Sequence, residues 1–191
     1  MTASLATSAS ATFPTSTTAG NLLVAFVNSA NATGGGVTFT SGWTQAVVST
    51  SAGSAYLYYK KADGTETSVT HTQTSARIIT IGLFEYQGFT GDPTLDVTSS
   101  NISTASVSAL STTSTTGPTN VSQPALALAF VGGTSNLAQW VSATNSFLPD
   151  YTTGVPSTGY LHAVVKELTT SAAVETTIGW TTARANVYTG L

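Results

Sequence analysis

Two uninterrupted apolar runs constrain this chain more than any other feature: Leu22-Leu-Val-Ala-Phe-Val27 and Ala125-Leu-Ala-Leu-Ala-Phe-Val131. Successive side chains of a strand point to opposite faces, so a half-solvated strand alternates apolar and polar residues. A run without alternation needs cover on both faces, and each of these segments reads as a central strand with both faces occupied. Both are far too short to cross a bilayer as a helix, and no membrane partner is expected. Helix formers are scarce throughout, and no long window repeats its apolar residues at three-and-four spacing.

Strand signals fill the rest. Runs rich in Thr, Val, Ile, Tyr and Phe are separated by clusters of Gly, Pro, Asn, Asp and Ser, which mark turns. Strands are expected near residues 9–13, 21–28, 37–40, 44–50, 55–61, 68–72, 77–87, 95–99 and 105–110. In the second half they are expected near 125–131, 138–144, 159–168, 173–180 and 185–189. Asp63-Gly64 is a hairpin signal. The pattern predicts an all-β fold, an antiparallel two-sheet β-sandwich of jelly-roll type.

The halves echo each other. Asn21–Val27 matches Ala125–Val131 at an offset of 104, Tyr56-Leu57 matches Tyr160-Leu161 at the same offset, and Thr74–Arg77 resembles Thr181–Arg184 at 107. Either a strand-friendly alphabet has converged, or two similar sets of strands present themselves to one core. The low-complexity stretch Ser111–Thr119 offers a linker or a surface loop at about residues 111–120. A single domain over residues 1–191 is expected, because a shared core buries both apolar runs better than two separate ones.

Composition removes several classes of function. Five basic residues and a net charge of −3 cannot supply the cationic footprint that nucleic-acid binding needs. With 41% hydrophobic residues and 7% charged ones, the chain is not disordered. It has no cysteine, hence no disulfide and no thiolate metal site. Met1-Thr-Ala-Ser-Leu5 lacks the basic and apolar regions of a secretion signal.

Chemistry is sparse. His71 and His162 are the two histidines. No Gly-x-Ser-x-Gly elbow accompanies them, and their spacing fits no zinc pattern. Alternation puts His71 on the face of Val69, and His162 lies among apolar neighbours. Asp63-Gly-Thr-Glu66 and Asp92-Pro-Thr-Leu-Asp96 could offer oxygens to calcium, but both read first as turns. Glu85 and Glu167 lie on strands, where a glycosidase would need two carboxylates across a cleft. No catalytic residue, metal ligand or cofactor is assigned, and an enzyme is not expected. Aromatic rings either fill the core or stack on sugars, and Trp43, Tyr56, Tyr58 and Trp140 are the candidates for a glycan platform. Tyr56 and Tyr58 share one strand face, and Tyr59 takes the other. The sequons at Asn31, Asn101 and Asn120 are expected by chance in so Thr-rich a chain.

The series Thr18-Ala-Gly-Asn-Leu-Leu-Val-Ala-Phe26, Ser41-Gly-Trp-Thr44, Ala55-Tyr-Leu-Tyr-Tyr-Lys-Lys-Ala-Asp-Gly64 and Glu85-Tyr-Gln-Gly88 resembles the jelly-roll or lectin-like β-sandwich modules of tailed-phage virion proteins and bacterial surface proteins. The resemblance covers most of residues 9–90 and is looser beyond. It implies a structural module and brings no catalytic residue. It further implies a phage decoration (cement) protein or a small tail or fibre component, often trimeric, made in the host cytoplasm and held on the virion. The partner would be a major capsid or tail protein, and the alternative is a carbohydrate-binding, lectin-like module. A contact made by shape rather than charge is expected to survive about 1 M salt.

Overall fold

The computed structural model describes residues 5–29, 36–50, 54–89, 91–96, 98–103, 105–113, 125–133, 140–155, 159–169, 173–184 and 187–190. These form fifteen strands. The first half holds β1 (Ala6–Thr12), β2 (Leu22–Ser29), β3 (Thr38–Phe39), β4 (Thr44–Thr50), β5 (Ser54–Lys61), β6 (Ser68–Arg77) and β7 (Ile79–Tyr86). Then come β8 (Ser100–Ser103), β9 (Val107–Thr113), β10 (Ala125–Gly133), β11 (Trp140–Ala143), β12 (Leu148–Val155), β13 (Gly159–Leu168), β14 (Glu175–Arg184) and β15 (Val187–Gly190).

The all-β antiparallel sandwich expected from sequence is what the chain forms, with one correction: the described residues form four sheets, not two. Their strand orders are β1-β6-β3, β4-β5-β2-β7, β12-β13-β10-β15-β8 and β11-β14-β9. Three apolar layers join them. Val27, Tyr56, Tyr58, Val69 and Ile81 fill the space between the first two sheets. Leu22, Val24, Phe26, Leu57 and Phe84 meet Phe130, Leu161 and Ala163 between the two inner sheets. Ala129, Val131, Phe147, Val164, Ile178 and Trp180 fill the last layer. Every residue of β2 is buried, because its odd and even side chains enter different layers. That is the physical reason the run Leu22–Val27 shows no alternation.

The layers are two copies of one arrangement. In the first, Phe26 pairs with Leu57 on one side and Gly82 on the other. In the second, Phe130 pairs with Ala163 and Gly190. Thus β1 to β7 correspond in order and pairing to β9 to β15. The pairing sets His162, not Tyr160, at the place of Tyr56, since these two lie opposite Val131 and Val27 respectively. The sequence match between Tyr56-Leu57 and Tyr160-Leu161 is therefore out of register by two residues.

Contacts fix how the copies meet. Phe26 lies on Phe130, and Asn28 Nδ2 donates to the Gly133 carbonyl at 2.8 Å, so β2 and β10 run in the same direction. β7 lies over β13, and β5 lies under β15. These relations define a pseudo-two-fold axis along the strands, passing between β2 and β10.

Other differences from expectation have local causes. No strand spans the described part of residues 95–99, and β8 begins at Ser100 instead. β12 was not expected, because Pro149, Asp150 and Gly154 read as turn residues, but it is an edge strand, where proline is tolerated. Asp63-Gly64 does not close a hairpin between paired strands. It carries the chain from β5 in one sheet to β6 in the next, with Gly64 at φ 86°. The loop expected at 111–120 begins later, since Ser111–Thr113 belong to β9, and residues 114–120 lie outside the described residues.

Candidate interaction face

In β6 the alternation is clean. Val69, His71 and Gln73 are buried, while Ser68 and Thr72 are exposed and Thr70 half-buried. On the neighbouring β1, Ala9 and Ala11 turn inward, leaving Ser8, Ser10 and Thr12 on the outer face. Registers align these side chains in rows: Ser8 with Thr72 and Thr38, Ser10 with Thr70, and Thr12 with Ser68. Thr40 extends the middle row, its amide donating to the Thr70 carbonyl at 3.1 Å. The outer surface of the first sheet is thus a grid of hydroxyl groups with no charged side chain in any of these rows.

The hydroxyls hold one another. Ser10 Oγ and Thr70 Oγ1 are 2.8 Å apart, and the Thr70 amide donates to Thr40 Oγ1 at 2.7 Å. Such cross-strand pairs order both side chains, and a hydroxyl keeps capacity to donate or accept toward a partner. The opposite outer sheet repeats the motif. Ser111 Oγ lies 2.7 Å from Thr177 Oγ1, and the Thr177 amide donates to Thr144 Oγ1 at 2.9 Å. There Glu175 is exposed one row beyond the pair, opposite Thr113, so the two outer faces differ in charge.

Charged groups gather where loops meet at one end of the first copy. Lys60 Nζ contacts Glu66 Oε1 at 2.6 Å and Asp63 Oδ2 at 3.0 Å, and Lys61 Nζ contacts Asp92 Oδ1 at 2.7 Å. Burial alone would raise the Glu66 carboxyl, but Lys60 and the Thr17 hydroxyl outweigh it and lower the pKa to about 2. The hydrogen bond to Glu66 holds Lys60 above its usual value. Glu85 Oε1 accepts from the Thr18 amide and from Asn21 Nδ2, each at 2.7 Å, clamping the turn that enters β2. These carboxylates serve the loops. Among the described residues, no three His, Asp or Glu side chains stand together as metal ligands would.

Of the residues expected to stack on sugars, Tyr56 and Tyr58 lie in the core. Tyr56 and Tyr58 are only 2% and 5% exposed, and as core residues they offer no ring face to a glycan. They do share one face, and Tyr59 lies on the other, in the layer between the inner sheets. Trp43 is partly buried against the same core as Tyr56, edge-on to Phe39 at 5.6 Å. Trp140 opens β11 opposite Trp180, and its side chain lies outside the described residues. Asn101 is on β8, where its Nδ2 donates to the Ser111 carbonyl at 2.8 Å. Asn31 and Asn120 lie outside the described residues.

Both histidines are fully buried. His71 faces the first core, its ring 5.3 Å from that of Tyr56 and 6.5 Å from that of Phe39. Burial pulls its pKa down to about 4, against a weaker opposing influence from the Gln73 amide. Gln73 itself is tied to Ser29 Oγ, and its Nε2 donates to the Ser75 carbonyl at 3.0 Å. The arrangement supports packing, and no serine hydroxyl is bonded to the His71 ring for nucleophilic work.

The hydroxyl grid was not among the sequence candidates, although the period-two spacing Ser8-x-Ser10-x-Thr12 and Ser68-x-Thr70-x-Thr72 could have shown it. No family model, curated protein or solved structure matches this chain. Fold and surface therefore define its class: a duplicated, four-layer antiparallel β-sandwich with hydroxyl-rich outer sheets.

Proposed function

We propose that the chain is a non-enzymatic structural protein of a tailed-phage particle, a capsid decoration (cement) protein that docks on a major capsid or tail protein and acts as a trimer. The observation that supports this most is the uncharged grid around Ser10 and Thr70. A regular, self-ordered hydroxyl surface binds by shape and hydrogen bonding, not by charge attraction. Many copies on a symmetric lattice then add avidity without any single strong contact. Lys60, Lys61, Asp63, Glu66, Glu85 and Asp92 are occupied in closing loops, which suits a rigid coat whose contacts change little with pH. The resemblance of residues 9–90 to virion sandwich modules points the same way.

The test is sedimentation of the purified chain with tailed-phage particles that lack their decoration layer. Saturable binding at a fixed number of copies per particle is expected. Failure to bind any such particle, together with selective binding on a glycan array, would replace this reading with the lectin-like one.

A further inference from the structure

The duplication shows what the first layer can do without. Thr70 and Thr177 hold the same place in the two copies, each donating its amide to a threonine hydroxyl of the neighbouring turn. His71 and Gln73 on β6 therefore correspond to Ile178 and Trp180 on β14. Both of the latter are buried, and they fill the last layer with apolar surface. The sandwich thus closes over aliphatic and aromatic side chains at these places, and packing alone does not call for a histidine.

His71 is fully buried, and among the described residues neither ring nitrogen has a hydrogen-bond partner. Gln73, two residues along the same face, is committed to Ser29 and to the carbonyls of Ala6 and Ser75. The titratable groups of this layer are the Tyr56 and Tyr58 phenols on β5, and burial raises both, so neither supplies an anion. Strands β1 to β4 bring no charged residue. On β5, Lys60 is held by Glu66 and Asp63, and Lys61 by Asp92. On β7, Glu85 accepts from Thr18 and Asn21, and Arg77 at the end of β6 is exposed. Each carboxylate is already engaged at a loop, and none is left to balance a protonated His71. A charged ring held unpaired among apolar groups costs more than one turned out to water.

We infer that His71 is an acid-triggered release for the first outer sheet: on taking up a proton its ring leaves the layer, and β1, β6 and β3 part from the sheet beneath while the two inner sheets stay joined. The inner sheets hold because their layer is built on Phe26, Phe130, Leu161 and Ala163, and His162, between the last two in sequence, turns to the other face of β13. The hydroxyl grid on the outer side of β6 titrates nothing, so acid acts on the sheet that carries the grid and leaves the contacts alone near neutral pH. Any consequence for docking rests on the reading given above, whereas the opening itself does not.

The chain has no cysteine, so a single introduced thiol reports on one layer. Val24 and Val27 of β2 are both fully buried, Val24 between the inner sheets and Val27 in the first layer. Full-length Val24→Cys and Val27→Cys are each treated with dithiodipyridine, and each rate is divided by that of the same chain unfolded in denaturant at the same pH. The normalised rate of Val27→Cys should rise about a hundredfold from about pH 7 to about pH 4, reversibly, and that of Val24→Cys far less. Adding His71→Ile, which copies β14, or His71→Leu to Val27→Cys should remove the rise. Equal rises at both positions would mean that the whole sandwich unfolds, and would overturn the inference. It is overturned as well by a rise that survives both histidine variants, or by no rise down to about pH 4. Failure of the chain to bind particles would leave these rates as they are, so the two readings fail separately.

Discussion

Phe26 and Phe130 occupy the same position in the two copies and pack against each other across the pseudo-two-fold axis, ring centroids 4.8 Å apart and planes tilted by 38°. Phe84 adds an edge-on contact to Phe26 at 5.2 Å. The two inner sheets are therefore joined by an aromatic cluster at their centre. Phe26→Ala or Phe130→Ala should each cost about 3–5 kcal/mol in denaturant unfolding. The double variant should show a coupling of about 1 kcal/mol. Strict additivity would mean that the rings do not share a core.

One step along the same strands, the copies could not keep identical side chains. Asn28 reaches over the axis, and a Cβ on Gly132, its counterpart, would come within 3.1 Å of Asn28 Cγ. Gly132→Ala should destabilise the chain by about 1–3 kcal/mol. Adding Asn28→Ala to it should then cost less than Asn28→Ala alone, because the obstruction is gone. A neutral Gly132→Ala in thermal unfolding would contradict this.

The buried His71 predicts a direction with pH. Its folded pKa of about 4 lies below the ordinary value of 6.5, so the unfolded chain takes up a proton first. The stability it contributes is complete above pH 6.5 and is lost as pH falls toward 4, by at most about 3 kcal/mol. Unfolding free energies at about pH 7, about pH 5.5 and about pH 4 should fall in that order, and His71→Leu should flatten the decline. An equal slope in the variant would assign the loss to other groups.

Assembly is measurable without a partner. Light scattering on a sizing column should give the mass of a trimer over roughly a hundredfold range of concentration. A monomer throughout would remove self-assembly in solution from the account.

Much of the fold was legible in the residues. The continuous runs Leu22–Val27 and Ala125–Val131 did require two covered faces, and the alternation around Val69 and His71 did place one face inward. The number of sheets was not legible, because alternation says which faces are buried but not which sheet covers them. The duplication showed only where β2 and β10 repeat. It was hidden in β5 and β13 by a two-residue change of register, and in Thr40-Ser-Gly-Trp43 against Thr144-Asn-Ser-Phe147 by substitution. The second turn also differs in shape, since Asn145 and Ser146 both have positive φ, 58° and 63°, whereas in the first turn Gly42 alone does, at 83°. The glycan candidates Tyr56 and Tyr58 misled because a ring on a strand looks the same in sequence whether it faces a core or a sugar. The grid was overlooked because Ser and Thr are so common here that their period carried little contrast.

The central claim is that the hydroxyl grid docks by shape without charge. Its most direct test counts copies bound to undecorated particles at about 0.1 M and about 1 M salt, for the native chain and for Thr70→Lys. Equal binding at both salts by the native chain and its loss in Thr70→Lys, with thermal stability kept, are the results predicted here. Release of the native chain by salt, or full binding by Thr70→Lys, would contradict the claim.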